Sequence, residues 1–229
     1  MQPKHRIERT RNRHSRAVLE QDTIVIRLAR NLSVLQEQEH IENLLRRMHR
    51  AVLRERKKES IRPFQALLDG EHDLSFAVTQ GRAYRFLLTA GTKTRTKRIA
   101  EGWAITVAPS TNRRALHRKL WTLLCKEELP HIRSRLREVN DAFIGVGVRS
   151  VRLSYMTTQW GSCTSRGDIS INAALLFLPP PLLQYVIIHE LTHRKVRNHS
   201  AAFWNEVEHV LPQYHVARSA LINIRLLPL

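Results

Sequence analysis

The sequence predicts an α+β fold, with a basic, β-rich N-terminal region over residues 1–110 and a largely helical region over residues 111–229. Three observations carry this reading. Short runs of β-branched and aromatic residues separated by turn formers fill the front of the chain. Leucines recur at helical spacing behind them. Between Val148 and Asn172 a second group of strand-type segments leads into an apolar helix that ends in His189-Glu190-Leu191-Thr192-His193.

In the front region Thr23 to Leu32 reads as a strand. Gln36 to Lys58 reads as an amphipathic helix, with Ile41, Leu44, Leu45, Met48 and Val52 on its inward side. Leu74 to Thr79 and Ala83 to Thr89 flank Gln80-Gly81-Arg82, the pattern of a hairpin, and Trp103 to Ala108 adds a strand. Arg113 to Glu128 is a helix with Leu116, Leu120, Leu123 and Leu124 on its apolar face. Pro130, which lacks the N–H a helix needs, interrupts before a further stretch from His131 to Asn140.

Val148 to Tyr155 and Asp168 to Asn172 then read as two strands, with Gly161 and Ser162 marking a turn between them. Pro180 and Pro181 suit the first turn of the apolar helix, where a missing N–H costs nothing. Ser200 suits the N-cap of a short helix carrying Phe203, Trp204, Val207 and Val210 on one side. Pro212 stops it, and Val216 to Ile224 forms a last helix.

With 229 residues and 42% hydrophobic content the chain has enough material for one large or two small cores. Cys125 and Cys163 have no Cys-x-x-Cys spacing and read as free thiols of a reducing compartment. Met1 to Arg16 is basic without an apolar run, unlike a secretory leader, so the chain is read as cytoplasmic. The longest apolar run, Ala173 to Leu183, is broken by prolines and falls short of the roughly 20 residues needed to span a bilayer, so no membrane partner is expected. A formal net charge of +18 attracts polyanions, which makes nucleic acid a candidate partner. The densest basic clusters are Lys4 to Arg16, Arg46 to Lys58 and Lys93 to Arg98, and no recognised nucleic-acid motif accompanies them.

His189 and His193 are four residues apart, so on a helix both rings face the same way and can address one ion. Glu190 then lies beside the ion, the position of a general base for water held in an open coordination site. His199 follows six residues later, near enough for the chain to turn back and complete a three-histidine set; Glu206, Glu208, His209 and His215 are the other candidate third ligands. This donor set fits Zn2+. The hydrolysis it suggests needs an oxyanion donor, for which Tyr214 or a backbone N–H near Trp160 is the candidate.

Trp160-Gly-Ser-Cys163, Ile169-Ser-Ile-Asn172, Pro179-Pro180, Tyr185, His189-Glu-Leu-Thr-His193 and Asn198-His199-Ser-x-x-Phe-Trp204 occur in one order. By these runs the chain resembles the YgjP-like metallopeptidase family, related to SprT-like zinc proteins, most strongly from Met156 to Tyr214. The resemblance implies a zincin-like catalytic domain in which an HExxH active-site helix lies beside a short sheet. It also implies zinc on His189, His193 and His199, Glu190 as the base, and a peptide or protein substrate. A nucleoside triphosphate pyrophosphatase activity on UTP is attributed to a member of the family. Where the family usually has Lys or Arg before the tryptophan, this chain has Gln159. Two rival readings stay open: metal-dependent UTP pyrophosphatase chemistry, and a non-catalytic nucleic-acid-binding protein with structural zinc.

Overall fold

A computed structural model describes residues 4–21, 23–56 and 58–227. The chain divides into two compact units, Met1–Glu59 and Ser60–Leu229. Met1 to Pro3, at the start of the basic segment Met1 to Arg16, and Lys57, in the basic cluster Arg46 to Lys58, lie outside the described residues.

In the first unit, strands β1 (Lys4–Arg9), β2 (Arg16–Glu20) and β3 (Thr23–Leu28) form a sheet in the order β1-β3-β2. β1 runs parallel to the central strand and β2 antiparallel to it. Ile24, Ile26 and Leu28 of β3 are fully buried against Ile41, Leu44, Leu45 and Met48 of α1 (Val34–Arg56), the inward residues that the helical spacing identified. β1 was illegible in the sequence because four of its six residues are charged, and β2 is only a short Ala-Val-Leu run between Arg16 and Glu20. Arg6, Glu8, Glu20 and Arg27 meet in ion pairs at 2.8–3.3 Å across β1, β3 and β2.

The second unit contains a mixed four-stranded sheet, order β4-β5-β7-β6, made of β4 (Asp73–Ala77), β5 (Ala83–Ala90), β6 (Arg95–Ile99) and β7 (Gly102–Val107). β4 and β5 form the expected hairpin, closed by Gly81 at φ 86°. The parallel pairing of β5 with β7 brings their backbones so close at Gly102 that a Cβ there would lie 1.8 Å from the Arg85 carbonyl oxygen.

Helix α2 (Arg113–Val139) begins at Asn112, whose side chain accepts the Ala115 N–H at 2.8 Å. It runs straight through Pro130, contrary to the expected interruption. Pro130 is exposed, and so is Lys126, whose carbonyl loses its intrahelical partner to the proline and is left to water. Leu120, Leu124, Ile132 and Leu136 meanwhile keep one stripe buried on both sides of it. The domain boundary expected near residue 110 falls inside this second unit. Its physical reason is packing: Phe86 and Trp103 of the sheet share one core with Trp121 of α2 and Phe64, with Phe64 and Trp121 rings 5.2 Å apart.

A second sheet, order β9-β10-β8, is made of β8 (Ser150–Ser154), β9 (Gly161–Cys163) and β10 (Asp168–Asn172). Gly161 and Ser162, expected in a turn, are strand residues: Gly161 pairs with Ile171 and Cys163 with Ile169, antiparallel. β8 and β10 are parallel. Helices α3 (Pro180–Thr192), α4 (Ala201–Val210) and α5 (Tyr214–Ile222) complete the unit. Ser200 occupies the N-cap of α4, but its side chain makes no capping bond. No helix among the described residues is long and apolar enough to cross a membrane.

Candidate metal centre

α3 carries prolines in its first turn and is buried on almost every side, with Leu182, Val186, Ile187, Ile188 and Leu191 at 0–6% exposure. That burial fixes its rotation. His189 therefore points out of the core, and His193, at the C-cap one turn on, points the same way. Beyond His193 the chain folds back through Val196 and returns His199. The rings of His189, His193 and His199 lie 4.8–5.0 Å apart by centroid.

One ring nitrogen from each histidine lies within 4.8 Å of the others, and His189 Nε2 and His199 Nε2 are 3.0 Å apart. Tetrahedral zinc with Zn–N bonds of about 2.1 Å holds its nitrogens about 3.4 Å from one another, a separation this group reaches with small adjustments. The protonation states also suit a cation. Burial, reinforced by the neighbouring imidazoles, pushes the His189 pKa down to about 3, so its ring is neutral at pH 7. His193 Nδ1 lies 3.2 Å from the Val196 carbonyl, which can only accept, so the proton resides on Nδ1 and Nε2 keeps a free lone pair. Glu206, named as an alternative ligand, is bound instead to Lys195 Nζ at 3.0 Å. Glu208, His209 and His215 are likewise outside the cluster.

Phe203 is fully buried and touches all three rings, at centroid distances of 4.9, 4.6 and 4.9 Å from His189, His193 and His199. Phe203 and Trp204, expected on one side of a short helix, both pack against the His199 ring. Trp204 stacks on His199 at 5.7 Å and on Tyr214 at 5.3 Å.

Glu190 is 5% exposed, and burial raises its pKa to about 8. Its carboxylate lies against the backbone of Gly161, where a Cβ would stand 2.5 Å from Oε1. Strand β9 thus forms one wall of a cleft of about 460 Å3. Gly161 to Ser165 line one side; the three histidines, Glu190 and Arg197 line the other. Neither Cys163, in this wall, nor Cys125, whose thiol burial pushes up to about 12, is in a disulfide.

Asn172 holds the approach to β9 in place. Fully buried, its side chain donates to the carbonyls of Met156 and Gln159 at 2.8 Å and accepts from the N–H of Met156 and Ala174 at 3.4 and 3.0 Å. Its own N–H donates to the Trp160 carbonyl at 2.9 Å. Its strand assignment alone did not mark Asn172 for this role. Its polar type at a position alternating with buried Ile169 and Ile171 was the available signal.

Trp160 and Tyr214, the expected substrate or oxyanion contacts, are not among the side chains lining the cleft. Trp160 packs partly buried against the core, and Tyr214 stacks between Trp204 and Tyr185. Gln159 and Gly161, the chain neighbours of Trp160, line the cleft instead.

The YgjP-like metallopeptidase domain matches residues 7–223. The chain belongs to the YgjP-like metallopeptidase family. It is therefore a metallohydrolase by family, and a divalent metal is implied. The UTP pyrophosphatase of Escherichia coli (strain K12) is 33% identical to this YgjP-like chain over 57 residues, which cover 25% of the chain and 34% of that relative. Thus the match spans only about a third of the curated relative. Similar solved structures include the zymogens of two metallopeptidases. Abylysin of Pyrococcus abyssi shows 27% identity and a TM-score of 0.37, covering 40% of this chain and 91% of that one. Jannalysin of Methanocaldococcus jannaschii shows 21% and 0.36, covering 40% and 93%.

Proposed function

We propose that this YgjP-like protein is a zinc metallopeptidase in which His189, His193 and His199 hold the metal and Glu190 is the general base. The observation that carries the reading is the convergence of three imidazoles beside a buried carboxyl group in a cleft walled by an edge strand. Bound zinc supplies Lewis acidity, making water a better proton donor and polarising a carbonyl.

Glu190 takes the proton from water and passes it to the leaving amine, its side chain held to one position by Gly161. β9 is paired on one side only, by β10, so its other edge is free to align an extended peptide through backbone hydrogen bonds. On the opposite wall Arg197 offers a cationic donor for charge developing on the substrate. A hydrolysed peptide bond thus lies between the strand that orients it and the helix that carries the base.

A second reading, hydrolysis of UTP to release pyrophosphate, is favoured by one relative's name and by Arg197 in the cleft. Gln159 replaces the cation usual in the family, and no glycine-rich phosphate loop is present in the sequence, which favours the peptide. The test is to incubate zinc-loaded protein with an unfolded protein and, separately, with UTP. The peptidase reading expects new peptides by mass spectrometry and no pyrophosphate; pyrophosphate without peptides would replace it with the second reading.

A further inference from the structure

Helix α2 carries a basic stripe that the metal site leaves unused. Arg114, Arg118, Lys126, Arg133 and Arg137 are exposed and recur along one broad side of the helix over about 35 Å, at 1.5 Å per residue. Beneath this stripe three hollows follow one another along the seam between α2 and β8. The first, of about 420 Å3, lies at the start of the helix between Arg62, Arg113 and Arg114, with His117 and Tyr155 in its wall. The next, about 660 Å3, lies between Arg118 and Lys126 over Leu129 and Leu153. Arg133, Arg137 and Arg149 surround the last, about 380 Å3, beside Ser150 and Val151. Tyr155 borders the first two, and β8 passes from the second to the third.

Among the described residues no Asp or Glu lines any of the three. The acids of α2 are engaged elsewhere: Glu128 is buried against Arg82 and Tyr84, Glu127 pairs with Arg98, and Glu138 with Arg135. Arg113 and Arg149 have carboxylate partners in Asp69 and Asp168. Arg114, Arg118, Lys126, Arg133 and Arg137 have no carboxylate ion-pair partner among the described residues. A row of cations suits an anion with regularly repeated charge, which a single phosphate or carboxylate lacks. The apolar linings of the first two hollows, with Ile61, Leu68 and Tyr155 in one and Trp121, Leu129 and Leu153 in the other, suit flat, weakly hydrated groups. A duplex is stiff over about 150 base pairs and meets a surface only along its ridges, whereas a single strand can follow a line of hollows.

We propose that the α2–β8 seam binds single-stranded nucleic acid, its phosphates on the arginine stripe and its bases over the hollows. The surface shares no lining residue with the metal cleft, and the proposal does not depend on the peptidase reading. It is tested with the full zinc-loaded chain by fluorescence anisotropy, using labelled oligothymidylate of about 16 nucleotides. Combined Arg114→Gln, Arg118→Gln and Arg137→Gln should weaken binding at least tenfold. The slope of log affinity against log salt should fall by about 2, three lost phosphate contacts at about 0.7 each. The matching lysine substitutions should retain binding, which separates lost charge from misfolding. Combined Arg11→Gln, Arg13→Gln and Arg16→Gln, in the front basic cluster, should behave as wild type. Absence of wild-type binding at low salt, wild-type affinity in the α2 glutamine variant, tighter binding of the matching duplex, or equal displacement by polyglutamate would each overturn the proposal.

Discussion

Gly161 packs its Cα against the carboxylate of Glu190, leaving no room for a side chain: a Cβ would stand 2.5 Å from Oε1, 2.7 Å from Cγ and 2.8 Å from Cδ. Strand β9 therefore sets the position of the base as well as the wall of the cleft. Gly161→Ala should move Glu190 while leaving the three histidines in place. Steady-state kinetics should show turnover reduced by about 100-fold, the loss typical of a 1 Å misplacement, with zinc content unchanged. Unaltered turnover would show that the contact does not position the base.

The strand is itself held through Asn172, whose side chain makes four hydrogen bonds to the segment before β9 and to Ala174. Asn172→Ala removes the donor of the Met156 and Gln159 carbonyls and the acceptor of the Met156 and buried Ala174 N–H groups. Chemical denaturation should show a loss of about 2–4 kcal/mol, since each unpaired buried polar group costs about 1–3 kcal/mol. Turnover should fall with it, because the Met156 to Gly161 segment loses its anchor.

Zinc binding should separate the ligands from their packing. His189→Ala should abolish stoichiometric zinc in the purified protein, measured by elemental analysis, and with it the rise in melting temperature on adding zinc. Phe203→Leu keeps all three donors but loosens the face against which the rings rest. It should retain zinc with affinity reduced about 10–100-fold, the range for groups that orient ligands.

Acid should weaken the sheet under the cleft at a definite place. Arg149, Ser150 and Thr164 all hydrogen-bond the Asp168 carboxylate and hold its pKa below the ordinary 3.8. The folded state thus binds fewer protons than the unfolded chain below that value. This contribution is present above pH 3.8 and is lost as pH falls through the lowered folded value. Thermal melts should show wild type more stable than Asp168→Asn at pH 7, with the gap closing below pH 4. A gap independent of pH would assign the effect to packing.

The elements legible in sequence were those whose pattern coincides with their burial. α1 and β3 announced their inward residues, and the histidine spacing on α3 needed only a buried helix to become a site. Misread features have local causes. β1 and β2 hide behind cross-strand charge pairs, and β9 is three residues of Gly-Ser-Cys, which composition alone reads as a turn. Pro130, on the exposed side of α2, did not end the helix, because the buried stripe from Leu120 to Leu136 holds it on both sides. Tyr214 and Trp160 were placed near the chemistry by chain proximity, but aromatic stacking and core packing decide where those rings go. The basic stripe of α2 went unread, because the densest basic clusters lie elsewhere in the sequence and the stripe stands out only once the acids of the same helix are seen paired away from it.

The central claim, that Glu190 activates water beside a three-histidine metal, is tested most directly by hydrolysis of an unfolded protein by wild type and Glu190→Gln at equal, verified zinc occupancy. The account expects turnover to fall by at least 100-fold in the variant, the low end of general acid–base contributions being about 10²-fold, while zinc stays bound. Full activity of Glu190→Gln would contradict it.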